Sequence, residues 1–188
     1  MSSKRSGSSR YSRRKNADAR FREGCLRIRH RLGEIKFAIV LWGPRPESDS
    51  LLASLRDELR SHVNDDGHKT YYPEELVQDD DPHFSVLMQE EIQAICADLI
   101  VAIHGSAGSL VEIHAIADEP GISRKTIVIV DRKHKDGFAM RSLEAKGMTL
   151  VLHTEEARSE TIAEVLKWVR QNREVALREL LATERRSE

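Results

Sequence analysis

Between residues 104 and 112 the chain reads His104-Gly105-Ser106-Ala107-Gly108-Ser109-Leu110-Val111-Glu112. Small residues allow a backbone to approach a ligand closely. The segment follows an apolar run, Asp98 to Ile103, and leads into a helix-like stretch, Leu110 to Asp118. A loop that opens a helix offers an anion such as phosphate free N–H groups and the positive end of the helix dipole. Ser106 and Ser109 would add hydroxyl donors. Glu112 then falls in the first helical turn, with its carboxylate able to point back over the loop. A carboxylate beside a phosphate cradle suits attack at an anomeric carbon, or stabilisation of the positive charge of an oxocarbenium-like transition state. The same residues also suit a plain strand-to-helix turn, with Glu112 complementing the dipole.

A loop of this kind needs a scaffold, and the surrounding pattern predicts one. Lys36 to Leu41, Asp98 to Ile103, Thr126 to Val130 and Met148 to Leu152 are short apolar runs of strand length. Thr70-Tyr71-Tyr72 reads as a further short strand, stopped by Pro73. Helix-period stretches separate them. Leu51, Leu52, Leu55 and Leu59 share a face, with Ser48 as a plausible N-cap. Residues 84–95, Leu110 to Asp118 (ended by Pro120-Gly121), Phe138 to Lys146 and a long segment from Ala157 follow. Near-continuous apolar strands alternating with helices predict a mostly parallel sheet covered on both faces. The expected architecture is an open three-layer α/β/α domain of Rossmann-like type. Ligands bind such sheets at the carboxyl ends of the strands. Two of those ends are rich in small residues: Trp42-Gly43-Pro44 and Gly105 to Ser109. They are the expected walls of one pocket. Trp42 could stack there on a base or pack in the core; of Tyr71 and Tyr72, one is expected to be buried.

Composition bounds the rest. The chain has 188 residues, 39% apolar and 32% charged, enough for one folded domain with a polar surface. No apolar run reaches the ~18 residues of a membrane helix. Cys25 and Cys96 form neither a disulfide framework nor a zinc pair, which suggests a reducing compartment. Asp79, Asp80 and Asp81 read as a solvated loop, and His104 and His114 lack metal-site spacing, so neither metal nor cofactor is expected. The net charge of −1 hides an asymmetry: residues 1–31 hold eleven Lys and Arg against Asp18 and Glu23, a net +9, leaving −10 for the remainder. Residues 1–16 read as a disordered basic tail. Residues 17–35, with Phe21, Cys25, Ile28, Leu32 and Ile35 at helical spacing, read as a basic amphipathic helix. The folded domain is expected over 36–188. The basic arm, residues 1–31, is a candidate contact for nucleic acid or a protein partner. A cytoplasmic location is expected, with an organelle transit peptide as the alternative.

The strand Asp98–Ile103, the segment Ser106-x-Gly108-x-x-x-Glu112 and the following Ala115 and Ala117 resemble the nucleoside 2-deoxyribosyltransferase-like superfamily. The closest branch is the 2′-deoxynucleoside 5′-phosphate N-hydrolases. Leu41-Trp42-Gly43-Pro44, Ala97-Asp98 and Ala139-Met140 resemble that branch's motifs in the same order, over about residues 36 to 170. The loop from Gly105 to Glu112 is also similar to the signature of the lysine-decarboxylase-like nucleotide phosphoribohydrolases. Both groups act on N-glycosidic bonds. The resemblance implies that Glu112 is the nucleophile, that Ser106 holds a 5′-phosphate, and that Gly43 and Gly108 make room for the ligand. It implies that Glu90 or Glu91 takes the place of a helix aspartate. The branch's first-strand tyrosine is Val40 here and its serine before Ala-Met is Phe138. Ser106 stands where the transferases carry an acidic residue, which implies hydrolysis rather than base exchange. The implied substrate is a nucleoside 5′-monophosphate or NAD, in salvage or in defence by nucleotide depletion. The implied assembly is a homodimer or higher oligomer. The alternatives are a nucleotide-sensing module without turnover, and a protein acting through its basic arm.

Overall fold

A computed structural model describes residues 7–45, 48, 50–77, 83–105, 113–114 and 117–187, with the backbone alone at 7–18, 138 and 187. The chain divides into two units: Met1–Ile35 with Arg173–Glu188, and Lys36–Asn172.

The larger unit is a five-stranded parallel sheet: β1 (Ala38–Trp42), β2 (Lys69–Tyr71), β3 (Leu99–Ile103), β4 (Thr126–Asp131) and β5 (Thr149–His153), in the order β2-β1-β3-β4-β5. Helices cover both faces, so the Rossmann-like α/β/α expectation holds. The central strands are apolar throughout because side chains alternate between two covered faces. Ile39, Leu41, Val101, Ile103, Ile127 and Ile129 point to one side, into a core shared with α2 (Leu51–Asp65) and the first part of α6 (Arg158–Ser187). Val40, Ile100, Ala102, Val128 and Val130 point to the other. There they meet Ala94 of α3 (Val86–Cys96), Ile122 of the single turn α4 (Pro120–Ser123), and Met140 and Leu143 of α5 (Phe138–Ala145).

Several boundaries differ from those read in the sequence. Ser50, not Ser48, caps α2: its side chain accepts from the Ala53 N–H. The short strand pairs through Lys69–Tyr71, one residue earlier than expected, and Tyr72 turns out of the ladder. Pro120 starts a helical turn, where its missing N–H costs nothing, and does not merely stop one.

In the smaller unit, α1 runs Gly7–Glu34. It begins within residues 1–16, read as a disordered tail, and ends at Glu34, one residue short of the helix read over 17–35, with Phe21 and Ile28 of the expected apolar face exposed. Arg31 of α1 pairs with Glu184 near the end of α6. Among the described residues, no helix is long and apolar enough to cross a membrane.

Candidate functional site

The strand order reverses direction between β1 and β3: from β1 the chain moves outward to β2, then returns past β1 to β3. Crossover connections on either side of such a point leave a crevice at the carboxyl ends of its two strands. β1 and β3 pair in register from Ile39↔Leu99 to Trp42↔Ala102, so Trp42-Gly43-Pro44 and Ile103-His104-Gly105 emerge side by side. Their backbones are too close for larger residues. A Cβ on Gly43 would stand 3.0 Å from the Cβ of Ile103, and one on Gly105 would stand 2.8 Å from Pro44 Cγ. The sequence placed both glycines at one site, and the structure brings them together.

Trp42 is half-buried and packs against both core clusters on the α3–α5 face. Ser106, Gly108, Ser109 and Glu112 lie outside the described residues, as does the expected acidic loop at Asp79–Asp81. The segment's two ends are in place: Gly105 lies against Pro44, and Ile113 is 2% exposed in the core beside β3 and β4. Ile113 and His114 are helical, and the Ala117 N–H donates to the Ile113 carbonyl at 3.1 Å. Glu90 and Glu91 stand midway along α3, the first half-buried and the second exposed. Val40 is buried in the core.

Beneath the β1 loop lies a device that the sequence reading missed. Arg56 of α2 is completely buried. Its Nε and Nη2 donate to the Leu41 carbonyl at 2.9 and 2.6 Å, and its Nη1 to the Pro44 carbonyl at 2.9 Å. The guanidinium also forms a two-pronged pair with Glu74, at 2.5 and 2.7 Å. It lies 4.2 Å from the centre of the Tyr72 ring, as does the Arg60 guanidinium. Tyr72 donates its hydroxyl to Asp57, and Arg60 pairs with Glu75 at 2.6 Å. Burial first, and then the Asp57 carboxylate, push the Tyr72 phenol up to about 12. One buried cation thus ties the loop after β1 to the 3-10 turn after β2 (Pro73–Glu75). A signal was present: Arg56 follows Leu52 by four residues and precedes Leu59 by three, placing a charge on the apolar face of its helix.

A second cluster borders the same strand ends. The His104 N–H donates to the Ile129 carbonyl at 2.9 Å, extending the β3–β4 ladder and fixing the residue's position. Its ring meets that of His134 edge-on, with centroids 5.7 Å apart. Nδ1 of His104 is buried and has no hydrogen-bond partner among the described residues. Burial, with the nearby His134 and Lys133 and against the pull of Asp131, holds His104 below the usual imidazole range, so it is neutral at pH 7. Asp131 ends β4 and accepts from the Lys133 N–H. Among the described residues, no group of three His, Cys, Asp or Glu side chains is placed to hold a metal ion. The site therefore combines a narrow floor of two glycines, a rigidly held β1 loop, and an uncharged imidazole whose Nδ1 has no partner among the described residues.

A family model described as STM3845 retron effector protein matches residues 52–174, most of the α/β unit. No curated protein matches the chain. Among solved structures, a conserved protein from Enterococcus faecalis V583 is 18% identical, with a TM-score of 0.38, covering 69% of this chain and 87% of that one.

Proposed function

The chain belongs to the family of STM3845 retron effector proteins, and from that premise we propose that it is a defence effector that hydrolyses the N-glycosidic bond of a nucleotide, with Glu112 as nucleophile. The observation that carries this reading is the meeting of Gly43 and Gly105 at the point where strand order reverses. In the sequence, Ser106-x-Gly108-Ser109 follows Gly105 directly, and Glu112 directly precedes the buried Ile113. In this reading the loop and helix start hold a phosphate. Glu112 attacks the anomeric carbon, the base leaves, and water releases the sugar phosphate. Glu90 or Glu91 positions the sugar or assists the leaving base. Trp42 borders the base, and the substrate is a nucleoside 5′-monophosphate or NAD. The resemblance to nucleoside 2-deoxyribosyltransferase-like enzymes supports the chemistry. Assembly as a homo-oligomer belongs to the same proposal. It is supported by the outer face of α3, where Leu87, Met88, Ile92 and Ile95 are exposed.

A second reading, a nucleotide sensor without turnover, is favoured by Val40: a buried aliphatic side chain supplies no hydroxyl to the substrate where the similar branch has one. The experiment that separates the two is a mass-spectrometric screen of nucleoside monophosphates and NAD, incubated with the protein. Release of free base supports hydrolysis. Retained, unmodified nucleotide supports sensing.

A further inference from the structure

The two edges of the sheet differ in kind. β2 is three residues long, carries the exposed Lys69 and is followed by Pro73. Short length, lysine and proline all discourage an edge strand from pairing with another chain. β5, Thr149-Leu-Val-Leu-His153, has none of these. It pairs with β4 on one side, and among the described residues no strand lies on its other side. Val151 enters the core shared with α2 and α6, so Leu150 and Leu152 point to the opposite face, beside α5. Leu152 is 39% exposed. A groove there is lined by Leu150 and Leu152 together with Lys135, Asp136, Arg141 and Glu144. All four charged residues are exposed, and among the described residues none of them forms an ion pair.

We infer that the free edge of β5 pairs with β5 of a second copy of this chain, antiparallel, about a two-fold axis normal to the sheet. The charges choose this occupant. The groove holds two cations and two carboxylates, a balance that lets the patch complement itself, as a two-fold contact demands. A polyanion would meet repulsion from Asp136 and Glu144. Arg141 and Glu144 are three residues apart, on one side of α5. The axis sets the two α5 helices antiparallel on the same face of the joined sheet, so Arg141 of each copy faces Glu144 of the other. Directly opposed residues of antiparallel strands share a face, so the axis passes through a residue of β5. Centred on Val151, it sets Leu150 opposite the partner's Leu152 and covers the exposed leucine. Backbone groups along the edge then gain partners, as in other cases of strand addition. The contact is separate from the exposed face of α3, which packs on β1 and β3, and it does not rest on the nucleotide chemistry.

The test is sedimentation equilibrium of the full chain over a concentration series. The wild type self-associates. Arg141→Glu and Glu144→Arg each set only like charges across the axis, and each weakens association by at least about 100-fold. An equimolar mixture of these two variants restores association, because one carries only carboxylates at the two positions and the other only cations. The Arg141→Glu/Glu144→Arg double variant also associates. Thr149→Lys places a cation on the edge strand and weakens association without touching α5. Ile95→Asp, on the outer face of α3, leaves the β5 contact in place. All the substituted positions are exposed, and each variant keeps the wild-type circular dichroism spectrum. The inference is overturned if the wild type is a monomer, if either charge reversal associates as the wild type does, or if the mixture stays dissociated. It is equally overturned if Ile95→Asp abolishes association that the reversals leave intact.

Discussion

Removing the Glu74 carboxylate tests whether Arg56 holds the β1 loop. Arg56 is completely buried, and in Glu74→Ala its charge loses its paired carboxylate while its bonds to the Leu41 and Pro44 carbonyls remain. Breaking a buried pair by removing one partner costs about 3–5 kcal/mol. The Glu74 side chain is 30% exposed, so water reaches the vacated place. We therefore take the lower end, about 3 kcal/mol, equivalent to a fall in melting temperature of roughly 6–12 °C for a chain of this size. Arg56→Met instead leaves the two carbonyls and Glu74 without their donor. If the pair acts as a unit, the Arg56→Met/Glu74→Ala double variant is more stable than the sum of the single losses, by about 2 kcal/mol. Urea unfolding followed by circular dichroism measures all four corners of the cycle. A Glu74→Ala cost under about 1 kcal/mol, or additive losses, would refute the claim that this pair clamps the loop.

Gly105→Ala places a methyl group 2.8 Å from Pro44 Cγ, and the forced shift should cost about 1–3 kcal/mol, seen as a lower melting temperature. Tyr72, pushed up to about 12, should give a late phase when absorbance is followed at high pH, and Tyr72→Phe should remove that phase. His104 lies below its unfolded value of about 6.5, so the folded state binds fewer protons than the unfolded state between the two values. Its contribution to stability is complete above about pH 6.5 and is lost as pH falls through that window. Denaturation at pH 5.5 and 7.5 should show this loss, and His104→Asn should reduce it; an unchanged difference would count against the assignment.

The sheet was legible because buried parallel strands leave an unmistakable pattern. Ile127 to Val130 or Leu99 to Ile103 can be little else when both faces are covered. The glycine floor was legible as well, since turns after apolar runs mark strand ends. Side-chain partners across the fold were not. Arg56 reads as one more charge in a helix until Glu74, eighteen residues later, is brought beside it by the return of β2. The His104–His134 contact likewise depends on β3 and β4 being neighbours, which pairing fixes and spacing does not. The cap at Ser50 rather than Ser48 was a choice between two equivalent residues. Only the turn that places a hydroxyl near the Ala53 N–H decides it.

The central claim is that Glu112 does chemistry on a nucleotide. The most direct measurement is the initial rate of free-base release, by mass spectrometry, from wild type and Glu112→Gln at equal concentration and with matched thermal stability. The account predicts measurable release by the wild type and a rate at least about 100-fold lower in the variant, as expected when a covalent nucleophile is removed. Equal rates in the two proteins would contradict it.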